Sequence, residues 1–181
     1  MSEDKVHDLF PASCRLAIGS TDVKGTNTIE QWKATLDRYA KSSFGLYAKV
    51  IQDMKIDEDF VTYYKPSEEE RASANEDKFA EKILTCTVES RMKLVEDFRM
   101  IRPKMTTYVI QSITEAGEKT LKERYRLEWQ KAINEDDVTG MIELIIKCHI
   151  REKLPEKLRP MPIRDVQKRS TGTTYTSKVQ L

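Results

Sequence analysis

The feature that most constrains this chain is the spacing of apolar residues over positions 79–101. At about 100° per residue, Phe79, Ile83, Cys86, Leu94, Phe98 and Ile101 fall on one side of a helix. Ala80, Leu84, Val88, Met92 and Val95 fall on an adjoining side, and the fully polar strip narrows to Lys82, Glu89, Lys93 and Glu96. A surface helix carries one apolar stripe. An apolar arc wider than half the circumference calls for partners on more than one side, so the spacing predicts a long central helix around which the others pack.

Local signals divide the rest. Residues 1–27 have no helical period: Phe10-Pro11 breaks them early and Gly19 and Gly25 punctuate them. They read as an N-terminal arm, either laid across the domain or mobile. Thr28 and Gln31 have capping-box spacing, and Ile29, Trp32, Leu36, Tyr39 and Ala40 then share one face. Ser42-Ser43 is expected to interrupt this helix, and a second short one is expected over Phe44, Tyr47, Val50 and Ile51. Residues 53–59 are acidic and read as a loop. Tyr64-Lys65-Pro66 reads as extended, because proline pushes the preceding residue out of the helical region.

Ser67 and Glu70 form a second capping-box pair, and Glu68 and Glu69 suit a helix N-terminus. A helix from there to Ile101 would span roughly 50 Å, with its polar first turns in solvent and its end at Pro103. A short helix over Met105, Tyr108 and Val109 is expected next, with Thr114 capping another. Leu121, Tyr125 and Trp129 align only loosely, which implies a bend. The run 134–137 is a helix start, followed by a broad apolar face of Val138, Met141, Ile142, Ile145, Ile146, Cys148 and His149. From Leu154 on, Pro155, Pro160 and Pro162 forbid a continuous helix, and the remainder reads as a disordered basic tail. The fold class expected is all-α: an irregular, orthogonal bundle over residues 28–153 around one long helix, with the arm at 1–27 and the tail at 154–181. Its core would hold Trp32, Leu36, Tyr39, Phe79, Ile83, Phe98, Trp129, Ile142 and Ile145.

Chemistry is sparse. The two histidines are His7, in the arm, and His149, on an apolar face near a helix C-terminus where a packed imidazole is the common case. Cys148 beside it lacks a second cysteine pair at zinc-ligand spacing and reads as a small buried hydrophobe. Three widely separated cysteines without a Cys-x-x-Cys point to a reduced, cytoplasmic setting. Gly19 and Gly25 lack the lysine-serine ending of a phosphate loop. The acidic runs are accounted for by helix starts. No catalytic, cofactor-binding or metal site is expected, nor any small-molecule substrate. No apolar run is long enough to span a membrane. Lys and Arg at 31 nearly balance Asp and Glu at 30, so overall charge does not argue for nucleic acid. The tail cations Arg164, Lys168 and Arg169 are the candidates for a weak RNA contact, against the plainer reading of a solvated tail.

Gly25-Thr26-Asn27 leading into Trp32, then Tyr39, Phe44-Gly45 and Val50-Ile51, resembles the opening of retrotransposon Gag proteins, in which a Trp-bearing first helix precedes a short one. Trp129, Ala132, Asp137 and the run Met141-Ile142-Glu143-Leu144-Ile145-Ile146-Lys147 resemble the close of the Gag capsid N-terminal lobe in copia-type elements. The resemblance covers roughly positions 25–150. It implies an all-helical capsid lobe that assembles with copies of itself around the element's RNA. The chain departs from a full Gag in having a proline-broken tail where a second helical lobe would follow. It also has no Cys-x2-Cys-x4-His-x4-Cys knuckle and no Asp-Thr-Gly or Asp-Ser-Gly protease motif. The expected function is a self-associating structural protein of a retroelement, truncated or domesticated, without catalysis. A monomeric helical adaptor with the tail as an auxiliary contact is the alternative.

Overall fold

The computed structural model describes residues 10–21 and 28–154. The described residues are helical with no β-strand, as the apolar periods require. Eight α-helices follow one another: α1 (Thr28–Phe44), α2 (Lys49–Gln52), α3 (Glu58–Val61), α4 (Glu68–Glu76), α5 (Lys78–Gln111), α6 (Glu115–Arg124), α7 (Arg126–Asn134) and α8 (Val138–Lys153). Short 3-10 turns sit at Ala12–Cys14 and Gly45–Ala48.

Helix starts form where side chains satisfy the free N-terminal donors. Ser67 Oγ accepts from the Glu70 amide at 3.2 Å, and Glu70 Oε2 accepts from the Ser67 amide at 2.8 Å. Thr114 Oγ1 caps α6 through the Gly117 amide, and Asp137 caps α8 through the Gly140 amide. The bend expected between Leu121 and Trp129 is a break at Tyr125, which ends α6 and precedes α7.

Other boundaries differ from expectation. Ser42-Ser43 does not interrupt α1: the helix runs on to Phe44, whose ring is buried edge-on against Tyr108 at 5.2 Å. The acidic run 53–59 is not wholly loop, since Asp57 accepts from the Asp59 amide and starts the single turn of α3. The predicted rod from Ser67 is two helices. Asp77 takes an extended conformation (φ −132°, ψ 120°), and its carboxylate caps α5 through the Phe79 amide. The chain reverses there, so that α4 folds back along the first turns of α5, with Tyr64, Glu69 and Ser73 facing Ala80, Leu84 and Thr87.

Pro103 does not end the long helix, which continues to Gln111. Proline lacks the amide that would bond the carbonyl four residues back, at a cost of about 3 kcal/mol. Tertiary contacts on both sides of it outweigh that cost. Arg102 donates to the carbonyls of Glu135 and Asp136 at 2.8 and 3.0 Å, and Thr106 donates to Asp136 Oδ1 at 2.7 Å. These bonds pin the segment to the α7–α8 turn, where Asp136 has φ 50°. Phe98, Met105, Tyr108 and Val109 are fully buried around it.

The core gathers on this C-terminal half of α5. Trp32, Leu36, Phe98, Trp129, Ile142 and Ile145 are all buried in it. Trp32 Nε1 donates to the Ser112 carbonyl at 2.9 Å, a group left without an intrahelical donor at the end of α5. The same carbonyl receives the Leu16 amide at 2.9 Å, and Thr114 N–H donates to Leu16 O at 3.0 Å, closing an isolated parallel bridge between Leu16 and Ile113. Phe10 is completely buried between Tyr39 and Tyr108. Residues 10–21 of the arm therefore lie across the domain and contribute two core side chains, Phe10 and Leu16. A second aromatic group, Tyr47, Phe60 and Phe98, has ring centroids 5.0–5.8 Å apart and fastens the first short helices to mid-α5.

Three expected core residues are not core. Phe79 is 70% exposed and Ile83 53%, because α4 is centred on Ala80 and Leu84, reaches only the edge of Ile83 and leaves Phe79 uncovered. Tyr39 is 36% exposed; it stands at the rim of α1, with its ring edge-on to Phe10 at 6.2 Å.

Candidate interaction surface

The 34-residue α5 carries two different surfaces on one continuous backbone. Up to Leu94 no residue of it is buried, whereas Val95, Phe98, Met105, Thr106, Tyr108 and Val109 are. Among the described residues, the first part is held beside the body from one flank. The α4 helix packs on Ala80, Leu84 and Thr87, and Asp59 of α3 forms an ion pair with Arg91. The connection entering α4 is fixed as well. Tyr64 donates to Glu70 Oε1 at 2.6 Å, and this bond, with those from Ser67, holds the Glu70 carboxyl below the usual carboxylate range. Arg99 lies over the Tyr63 ring at 5.1 Å.

On the uncovered side, Phe79, Ile83 and Cys86 line a shallow groove that continues past Ser90 to Leu94, with Lys82, Thr87 and Arg91 at its borders. Spacings of four, three and four residues put Phe79, Ile83, Cys86 and Ser90 in one row along the helix, the geometry of a two-stranded helix seam. An aromatic ring and an isoleucine left in water cost roughly 1.5–3 kcal/mol each relative to burial. This stretch is therefore an apolar surface carried on a secured scaffold, suited to packing against another helix.

The Cys148–His149 pair has no such openness. His149 is fully buried; its Nδ1 accepts from the Gly19 amide at 3.2 Å, which leaves Nε2, 3.5 Å from Thr28 Oγ1, to carry the ring proton. It joins the N-terminal arm and the start of α1 to α8. Gly19 is required there: it has φ +78°, and a Cβ would come within 2.9 Å of Glu152 Cβ. Burial, reinforced by Glu152, pushes the Cys148 thiol up to about 11, so the group is a protonated thiol at neutral pH and a poor nucleophile. Among the described residues no cluster of three or more His, Cys, Asp or Glu side chains could hold a metal ion, and no helix is long and apolar enough to cross a membrane.

The structure thus separates the nine expected core residues into six that are buried together and three that face solvent, two of which, Phe79 and Ile83, line the groove. Arg164, Lys168 and Arg169 lie outside the described residues, as do His7 and Gly25-Thr26-Asn27. Periodicity alone puts the groove residues in the interior, because an apolar face left in solvent has the same period as one buried in the core. The signal that could have separated them was the row itself: after Cys86 it passes to Ser90, Lys93 and Asp97, so its apolar part is only two turns or so long. Comparisons with protein-family models, curated proteins and solved structures returned no match to this chain.

Proposed function

We propose that this chain is a non-catalytic structural protein that works by binding copies of itself, as the resemblance to a retroelement capsid lobe implies, with the exposed first half of α5 as a principal contact. The observation that carries the reading is the apolar row Phe79, Ile83 and Cys86, exposed on a helix whose other half lies in the core. A helix anchored by its own core can present such a row without rearranging, which keeps the entropic cost of association low. The buried, hydrogen-bonded His149 and the raised thiol of Cys148 favour a structural role for the one pair that could have suggested chemistry. Assembly would take place in the cytoplasm, and Arg164, Lys168 and Arg169 would add a weak, salt-sensitive contact to RNA phosphates.

Light scattering combined with negative-stain microscopy, across salt and protein concentration, tests the proposal. It predicts mass that grows with concentration into defined oligomers. A strict monomer at high micromolar concentration would contradict it, and a stoichiometric complex of that monomer with one purified partner would favour the adaptor reading instead.

A further inference from the structure

The row Phe79, Ile83, Cys86 and Ser90 sits at alternating core positions of a two-stranded seam, and the residues beside it decide what second helix it accepts. On one shoulder stand Ala80 and Thr87, next to α4; on the other stand Lys82 and Glu89, both exposed. When a helix of this kind is laid against a copy of itself in the antiparallel sense, core positions alternate across the two-fold axis. In the register that sets Lys82 against Glu89 rather than against another Lys82, Ile83 of one copy faces Cys86 of the other, and Phe79 faces Ser90. The shoulder positions follow from the same register: Lys82 comes opposite Glu89, Glu89 opposite Lys82, and Ala80 opposite Thr87. The row is thus self-complementary in three respects at once. Each large side chain, Phe79 or Ile83, meets a small one, Ser90 or Cys86. Opposite charges meet on one shoulder. Small residues on the other let two backbones approach beside α4. A parallel pair would set Phe79 against Phe79 and Ile83 against Ile83. It would also put Lys82 opposite Thr87 and Glu89 opposite Leu94, so that neither charge meets its complement.

We propose that two copies of the chain pair antiparallel through α5, with Ile83 of each seated on Cys86 of the other and Lys82–Glu89 ion pairs at both ends. The proposal rests on the self-association reading above and specifies its contact. The α4 helices flank the seam, so the pair forms a four-helix layer of two hairpins. The apolar part is short and the flanking charges are exposed, so this is a weak, reversible contact whose strength depends on salt.

Sedimentation equilibrium on the full chain tests the arrangement by charge exchange. Lys82→Glu sets carboxylate against carboxylate at both ends of the seam, and Glu89→Lys sets ammonium against ammonium. Each single change should weaken association about tenfold, and the double exchange, Lys82→Glu with Glu89→Lys, should restore it. Ile83→Asp should remove the dimer while lowering the melting temperature of the monomer far less than Phe98→Ala does, because Ile83 is half-exposed and lies outside the core. If the wild-type chain associates but the double exchange fails to restore what the single changes lose, or if the single changes have no effect, the antiparallel seam is wrong and self-association proceeds through another face. If the wild-type chain stays monomeric throughout, the self-association reading itself falls, and the seam with it.

Discussion

The two halves of α5 are nearly matched in apolar content and opposite in fate. Between Phe79 and Leu94 the helix offers Phe, Ile, Leu, Val, Met and Cys side chains, none of them buried; between Val95 and Gln111 it offers a similar set, and most of that set is sealed in the core. The difference lies in what else the chain supplies. The second half is met by α1 through Trp32 and Tyr108, by α8, by the α7–α8 turn through Arg102 and Thr106, and by the arm through Leu16. Among the described residues, the first half is met by α3, by α4, by the connection between them and, at its end, by Tyr47, whose hydroxyl donates to the Leu94 carbonyl at 3.3 Å. An apolar arc too wide for a surface helix does imply partners on several sides, but it does not say that all of them belong to the same molecule.

The largest effect is expected at Phe98. Its ring is buried against Tyr47 and Phe60, so Phe98→Ala should cost about 3–5 kcal/mol, enough to unfold a marginal domain. Chemical denaturation followed by circular dichroism measures this; wild-type stability would show that the core is misplaced. Pro103→Ala should act in the opposite direction. It supplies the missing helical amide at an exposed position and should raise stability by about 1–3 kcal/mol in the same denaturation experiment. Tyr108→Phe removes a buried hydroxyl that donates to the Leu36 carbonyl at 2.6 Å, for an expected loss of about 1 kcal/mol. Burial, aided by nearby Asp37, also raises the Tyr108 phenol above its ordinary value, so this tyrosine should remain protonated in a spectrophotometric titration after exposed tyrosines have ionised. At the small end, Phe79→Ser should change the stability of the monomer by no more than about 0.5 kcal/mol. It removes an aromatic ring from the same helix as Phe98→Ala, so the two variants differ chiefly in which half of α5 loses it.

Much of the fold was legible because helix starts are local. Ser67 with Glu70, Thr114 and Asp137 declare themselves within four residues, and each does cap a helix. The apolar face of α8 was legible for the same reason, its period being set by residues three and four apart. What periodicity could not supply was long-range competition. Pro103 forbids a helix locally, yet burial of Phe98 and Met105 around it, with the bonds of Arg102 and Thr106, prevails. Asp77 looks like one more polar residue in a solvated turn until its carboxylate is seen to cap α5. Phe10 and Leu16, flanked by proline and glycine, have no period to reveal that the arm fills the core. The exposed groove was half legible: the spacing puts Phe79, Ile83 and Cys86 on one face, but the sequence around them does not state that α4 turns back on the adjoining side and leaves most of that face open.

The most direct measurement of the central claim is amide hydrogen exchange along α5 at low and at high protein concentration. The account predicts that amides of residues 96–111 exchange slowly at both, through the global opening of the core. Those of residues 79–92 should exchange faster in the dilute protein and become markedly slower as concentration rises and a second copy covers the row. Exchange over residues 79–92 that does not change with concentration, while the protein associates, would contradict it.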